Sequence, residues 1–278
     1  MSTEVKEPNA IFETVKTIVY ALLIAGVFRT VFFQPFWIPS GSMKDTLLIG
    51  DFVFVNKMTY GYSYASCPSI RIARIGVNID AEDLCGFLDG DNSRFLGGEP
   101  ERGDVVVFRH PVSKTDYIKR LIGLPGDRIQ MKEGVLHING TKVILKEDGI
   151  FTEVAGPQGP QRLRAICTNS PVGTGGDCIK IKQVEILPNG VEHSTLDVRT
   201  RAMDNTPIYT VPAGHYFFMG DNRDNSTDSR VPQSLGGVGY VPFENIIGRA
   251  DRVMFSSAGR SMLYFWTWRS DRFFKRVD

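Results

Sequence analysis

Residues 116–131 read DYIKRLIGLPGDRIQM. Tyr117, Leu121 and their neighbours form an apolar strand pattern. Pro125-Gly126-Asp127 turns the chain, and Arg128–Met131 begins a second strand. The same grammar extends to both sides. IGDFVFVNKMTYGY (49–62) alternates as a strand does, and RGDVVVF (102–108) is a strand behind a turn. GVLHINGTKV (134–143) places Asn139-Gly140 between two apolar runs, which predicts a tight hairpin. GHYFFMGDNRDNSTDSR (214–230) is a strand entering a polar loop, and YVPFENIIGRADRVMFS (240–256) is strand again. Residues 63–101 read as an irregular insertion and 150–209 as mixed and polar. With Gly 28 and Pro 15 in 278 residues, and no long amphipathic helix in view, the expected class is mainly β.

One segment breaks the pattern. Residues 11–33, IFETVKTIVYALLIAGVFRTVFF, contain an uncharged core from Thr17 to Phe28. That core alone is short for a membrane span, which needs about 20 residues. Val15 to Phe33 is long enough, with Lys16 and Arg29 near its ends, where their stems can snorkel. Phe32, Phe33, Phe36 and Trp37 form the aromatic cluster expected at a membrane surface. No small-x-small cleavage site follows, so an uncleaved anchor is expected rather than a removed leader. Lys6 and Lys16 precede the core, and after Arg29 no positive charge appears until Lys44. The N-terminus is therefore expected in the cytoplasm and the rest of the chain outside. The expected organisation is a tail at 1–14, an anchor at 15–33 and an antiparallel β core from 34–143 and 210–260. An inserted β subdomain at 144–209 and an aromatic, basic tail at 261–278 complete it. That tail reads equally as an interfacial contact or as a packed strand or helix end.

Net charge is +1, so the basic footprint of a nucleic-acid partner is missing. The four cysteines form no CxxC, and the histidines do not cluster with them, so neither metal nor cofactor is expected. Cys167 and Cys178 close a turn-rich loop that would suit a disulfide outside the cytoplasm or hold two free thiols, and the pairing of Cys67 with Cys85 stays open.

PSGSM (39–43) raises the question of a serine nucleophile. A serine needs a base to take its proton. His110, His137, His193 and His215 sit in no triad context, and no G-x-S-x-G elbow exists. Lysine is the other base, and it must be neutral, which only apolar burial can arrange. Lys119 lies inside a strand, and alternation puts it on the face of Tyr117 and Leu121, with Arg120 on the other.

The blocks PSGSM (39–43), RGDVVVF (102–108), YIKRLIGLPGD (117–127) and GDNRDNSTDSR (220–230) resemble, in order, the signature boxes of bacterial type I signal peptidases, membrane-bound Ser-Lys leader peptidases. The resemblance implies Ser42 as nucleophile and Lys119 as general base, with Ser40 and the Ser42 N–H as oxyanion hole. It implies Ser226 as the hydroxyl that orients the lysine, and ion pairs Asp228–Arg230 and Asp221–Arg120 nearby. It also implies that Ile38, Met43, Leu47, Val107, Tyr117 and Ile118 line shallow pockets. Asp45 departs from the family, where many members have Pro, and adds an anion near the nucleophile. The implied activity is removal of signal peptides at Ala-x-Ala-like sites of exported preproteins, at the extracytoplasmic face of the bacterial inner membrane. Membrane lipid and the export channel are further candidate partners. Two rival functions are a self-cleaving Ser-Lys regulator, which would need a helix-turn-helix module absent before Ser42, and a non-catalytic membrane β domain that binds signal sequences.

Overall fold

The computed structural model describes residues 10–67, 70–72, 77–79, 81–88, 94, 96–160, 162–259 and 262–278. Residues 1–9 of the expected N-terminal tail, and much of 68–95, lie outside these.

The first helix, α1 (Ala10–Val31), contains the apolar stretch Ile11–Arg29, of mean hydropathy 1.8, with no part of it buried against the protein. It starts before the expected anchor and stops short of its end. Phe33, expected to close the anchor, instead opens strand β1 (Phe33–Trp37). The cause is local: Pro35 biases the residue before it toward extended backbone, and β1 finds a partner in β2 (Asp51–Asn56), where Phe33 lies opposite Asn56.

Beyond a two-stranded ribbon, β3 (Ile70–Ile72) and β4 (Val77–Ile79), a short helix α2 (Ala81–Cys85) carries Cys85 to a disulfide with Cys67. The central strands follow: β5 (Val105–Arg109) and β6 (Asp116–Gly123), then β7 (Arg128–Lys132), β8 (Val135–Ile138) and β9 (Thr141–Lys142). Next come β10 (Ile144–Val154), the ribbon β11 (Pro157–Gln158) and β12 (Leu163–Arg164), β13 (Asp177–Ile186) and β14 (Glu192–Asp197). Last are β15 (Tyr209–Thr210), β16 (His215–Met219), β17 (Val241–Pro242) and β18 (Ile246–Ser256).

Seven strands form an antiparallel sheet in the order β1-β2-β18-β5-β6-β16-β17. Its geometry turns on β18, which pairs with β5 through its first half and β2 through its second, with register shifts in both pairings. Such bulges bend a strand and let one sheet curl. Gly248 permits the crossing, since a Cβ there would stand 2.4 Å from the Asn56 carbonyl oxygen. The chain leaves this sheet at the expected Pro-Gly turn, where Gly126 has φ +88° and Asp127 N–H donates to Leu124 O. It enters a second sheet, β15-β7-β8-β9. The Asn139-Gly140 hairpin lies in this sheet with both residues at positive φ, as a two-residue type I′ turn requires. Ile122, Ile129, Leu136, Val211 and Phe217 fill the space between the two sheets.

The inserted segment builds its own sheet, β10-β13-β14, and Cys167 is disulfide-bonded to Cys178 beside it. The C-terminal tail is neither strand nor α-helix. It runs through two 3₁₀ turns, Phe265–Thr267 and Ser270–Arg272, and closes over the far end of the loop that follows Ser42. Arg272 is buried on the Asp51 carboxylate (2.5 Å) and also donates to Thr46 O. Leu263, Phe265 and Trp266 stay exposed on the same tail.

Breaking a buried ion pair from one side strands the other charge. Arg272→Ala is therefore expected to cost about 3–5 kcal/mol of stability, read by chemical denaturation in detergent. A change under about 1 kcal/mol would mean that Asp51 finds compensation elsewhere.

Candidate active site

Lys119 and Arg120 are adjacent on β6, and alternation sends them to opposite faces of a sheet covered on both sides. Lys119 is 4% exposed. Its Nζ lies 2.6 Å from Ser42 Oγ and 3.0 Å from the Ile118 carbonyl oxygen, above the Tyr117 ring. Ser40 Oγ is 3.4 Å from Ser42 Oγ. The two serines and the lysine that the sequence singled out thus converge on one buried point, although Ser42 and Lys119 are 77 residues apart.

The polar loop after β16 completes the surround. Arg120 binds Asp221 through two hydrogen bonds, of 2.9 and 2.8 Å, and also donates to the carbonyls of Gly103 and Asp278. Thr46 Oγ1 donates to Asp221 at 2.6 Å, which ties the nucleophile loop to the same carboxylate. Arg230 grips Asp228 through two bonds of 2.9 Å, and Gly220 N–H donates to Asp228 as well. Both implied ion pairs are present. Ser226 Oγ is buried, packed onto Gly220 and close enough to Asp228 to help hold that carboxyl low, while the Lys119 amine is bonded to Ser42 and Ile118.

Burial is the largest influence on the Lys119 amine and pushes it from the usual 10.5 down to about 8. Asp228 and Asp221 pull the other way, and Arg230 adds to the lowering. Burial disfavours the ionised forms of Asp221 and Asp228, but Arg120 and Arg230 outweigh it and hold both carboxyls below the usual range. Each nearby anion is thus matched by a guanidinium.

Ile38, Met43 and Leu47 are buried in one apolar cluster, with Ile118 packed against it. Val107 belongs to the adjoining cluster, which Ile118 and Phe36 also touch. Tyr117 packs instead with Phe108, on the lysine side. A cavity of about 390 Å³ runs from Asp116 past Phe36, Trp37 and Ile247 to Arg29 at the end of α1.

Sequence reasoning missed three contributors. Asn222 holds the serine loop directly: its side chain donates to Gly41 O at 2.8 Å and its backbone N–H to Ser42 O at 3.1 Å. Gly220 is compelled by close packing, since a Cβ there would stand 2.3 Å from Ser226 Oγ and 2.6 Å from Ser42 O. Both stood inside a quoted block, but only the fold shows what they touch. Lys44, a second amine close to Ser42, is bonded to Glu153 and Gln158. None of the four histidines is hydrogen-bonded to Ser42 among the described residues; His193 sits on Glu185 at 3.1 Å.

Comparison with known proteins follows the same line. A family described as signal peptidase, peptidase S26, matches residues 11–255. Signal peptidase I of Rickettsia typhi is 37% identical over 247 residues, covering 86% of this chain and 78% of its own. Signal peptidase I of Rickettsia akari is 36% identical over 247 residues, covering 86% and 77%. A crystal structure of a signal peptidase I from Enterococcus faecalis aligns with 24% identity over 55% of this chain and 97% of its own, with a TM-score of 0.28. The chain belongs to the signal peptidase, peptidase S26 family, and is a peptidase.

A lysine lowered from 10.5 to about 8 carries a penalty of about 3 kcal/mol on its charged form in the folded state. Between those values the folded protein binds fewer protons than the unfolded chain, so this group's contribution to stability grows as pH rises from 8 to 10.5. Nitrogen-15 NMR of labelled lysine should find two amines titrating near pH 8, the buried Lys57 and Lys119, of which one is missing in Lys119→Met. Titration of Lys119 at its ordinary value would contradict the reading of the site.

Proposed function

We propose that this member of the S26 family removes N-terminal signal peptides from exported preproteins, with Ser42 and Lys119 as a catalytic dyad at the outer face of a bacterial plasma membrane. The observation that carries the reading is the 2.6 Å approach of the Lys119 amine to Ser42 Oγ in a buried site.

The neutral amine accepts the Ser42 proton as Oγ attacks the scissile carbonyl. With its midpoint near 8, about a tenth of the enzyme holds that neutral amine at pH 7. The developing oxyanion is taken by the Ser40 hydroxyl and the Ser42 backbone N–H. Lys119, now protonated, gives its proton to the leaving amine of the mature protein, then draws one from the water that breaks the acyl-enzyme. Ser226, its Oγ buried against Gly220 beside the serine loop, is the hydroxyl we assign to orient the amine when substrate is bound. The paired Asp228–Arg230 and Asp221–Arg120 keep the site's anions from holding Lys119 in its charged form.

The substrate is an extended chain. Strand β1 is an edge strand, and only residues Arg120–Gly123 of β6 are paired with β16, which leaves the start of β6 open. An extended peptide added to such an edge takes backbone hydrogen bonds from the strand and specificity from alternate side chains. Ile38, Met43, Leu47 and Ile118 meet beneath the position before the cut, and Val107 and Ile118 serve one two residues upstream. An apolar floor of this kind, opened only enough for small side chains, would admit Ala-x-Ala-like ends. Tyr117 walls the lysine side.

The span α1 holds the site at the bilayer that also carries the signal peptide, which raises the effective concentration of one for the other. The exposed aromatic residues of 261–278 add a contact with membrane lipid, and the export channel is a fitting neighbour. Two disulfides suit an extracytoplasmic domain.

Cleavage of a preprotein with an Ala-x-Ala site, assayed in detergent, tests this. Ser42→Ala and Lys119→Met should each lose about 10⁴-fold or more in kcat while staying folded, since members of a catalytic unit fail together. Ser40→Ala should lose about 10²–10³-fold, the usual effect of one oxyanion donor. Normal cleavage by Lys119→Met would remove the dyad, and cleavage by neither wild type nor variants would favour a binding role.

A further inference from the structure

The inserted sheet grips the nucleophile loop at three points. Lys44 is buried, and its amine donates to the Glu153 carboxylate on β10 and, at 2.6 Å, to Gln158 Oε1 on β11. Lys180 on β13 holds the other oxygen of Glu153 at 2.5 Å, and Gln158 Nε2 donates to Glu153 at 2.8 Å. The next residue of the loop, Asp45, lies 3.3 Å from Lys182 on β13, which also binds Asp148 at 2.9 Å. The third point is steric. Gly159, between β11 and β12, lies so close to the loop's start that a Cβ would stand 2.4 Å from the Pro39 carbonyl oxygen. Ser40, Gly41 and Ser42 are therefore suspended between held points, with the Lys44 stem folded back over Gly41, where a Cβ would stand 3.1 Å from Lys44 Cε.

We propose that the inserted sheet is a positioning element for the reaction: the Lys44–Glu153 and Asp45–Lys182 contacts latch the nucleophile loop so that the Ser40 hydroxyl and Ser42 N–H point at the developing oxyanion. The inference rests on the peptidase mechanism proposed above. Its physical basis is the narrow tolerance of an oxyanion hole, whose donors must lie about 2.7–3.1 Å from the oxygen they stabilise. A misplacement of about 1 Å can cost about 10²-fold in rate. The apolar floor under Ile38, Met43 and Leu47 fixes the loop's depth, but it does not set the direction of the Ser40–Ser42 backbone. Asn222 holds the Gly41 and Ser42 carbonyls from one side, and the charged contacts of Lys44 and Asp45 hold the residues that follow. They also give the Asp45 carboxylate a partner, Lys182. Lys44, Glu153, Gln158 and Lys180 are positioning residues, since their recorded bonds run to one another and not to Ser42 or Lys119.

The latch predicts a loss in kcat without a matching loss in substrate binding. Lys44→Met leaves Glu153 paired with Lys180, so no buried anion is stranded. The full-length enzyme in detergent carrying this change should lose about 10–100-fold in kcat, with KM within about twofold and the thermal midpoint nearly unchanged. Asp45→Lys sets two cations against each other and should lose about tenfold. The swapped pair Asp45→Lys/Lys182→Asp restores opposite charges and should recover most of that loss. The pH midpoint of kcat should stay where it is in wild type, because Lys119 is untouched. Variants that match an active wild type within about twofold would overturn the latch alone, as would losses confined to KM or left unrescued by the swap. A wild type that cleaves nothing would overturn the peptidase mechanism, and the latch with it.

Discussion

Two carboxylates, Asp221 and Asp228, lie close enough to Lys119 to hold a proton on its amine, and each is bound by an arginine that cancels it. The chemistry proposed at Ser42 depends on this cancellation. Burial alone lowers a lysine, but a single unmatched anion in the same low-dielectric space would restore the charge. Arg120 and Arg230 leave burial as the deciding influence. The same two pairs also build the site. Asp221 receives Thr46 from the nucleophile loop, Asp228 receives Gly220 N–H from the loop that carries Asn222, and Arg120 reaches the last residue, Asp278.

The Ser40–Ser42 loop and the residues after it are held from three distant parts of the chain. Asn222 pins Gly41 and Ser42, Arg272 of the tail donates to Thr46 O, and the inserted sheet takes Lys44 and Asp45. The curled seven-stranded sheet brings these distant pieces together, because β18 pairs with β2 on one side and β5 on the other. A serine loop on so many supports is preorganised, and its donors need little rearrangement when charge develops.

Much of this was legible in the sequence because the signals were local. The Pro-Gly-Asp turn and the Asn139-Gly140 hairpin are short patterns whose backbone demands only a few residues can meet. Lys119 was singled out because a base must be neutral and a strand among apolar residues can keep a lysine so, but a solvent-facing edge-strand lysine fitted the same pattern, and it was the resemblance of the four blocks that chose between them. What stayed hidden acts over long sequence distances. Lys44 and Glu153 are separated by 109 residues, and Arg272 and Asp51 by 221, and no periodicity announces such pairs. The helix end was misplaced because apolar Phe33 serves a span or an edge strand equally well, and the strand won through its pairing with Asn56. The tail read equally as an interfacial contact or a packed end; its Arg272 is buried and Trp268 packs on Phe255, while Leu263, Phe265 and Trp266 stay exposed.

The pH dependence of single-turnover acylation of Ser42 tests the central claim most directly, because it isolates the step in which Lys119 takes the proton. A neutral lysine base predicts a rate that climbs with pH through a single midpoint near 8 and then levels. A rate that is flat from pH 6 to 10, or that climbs only toward 10.5, would contradict a buried neutral lysine as the base.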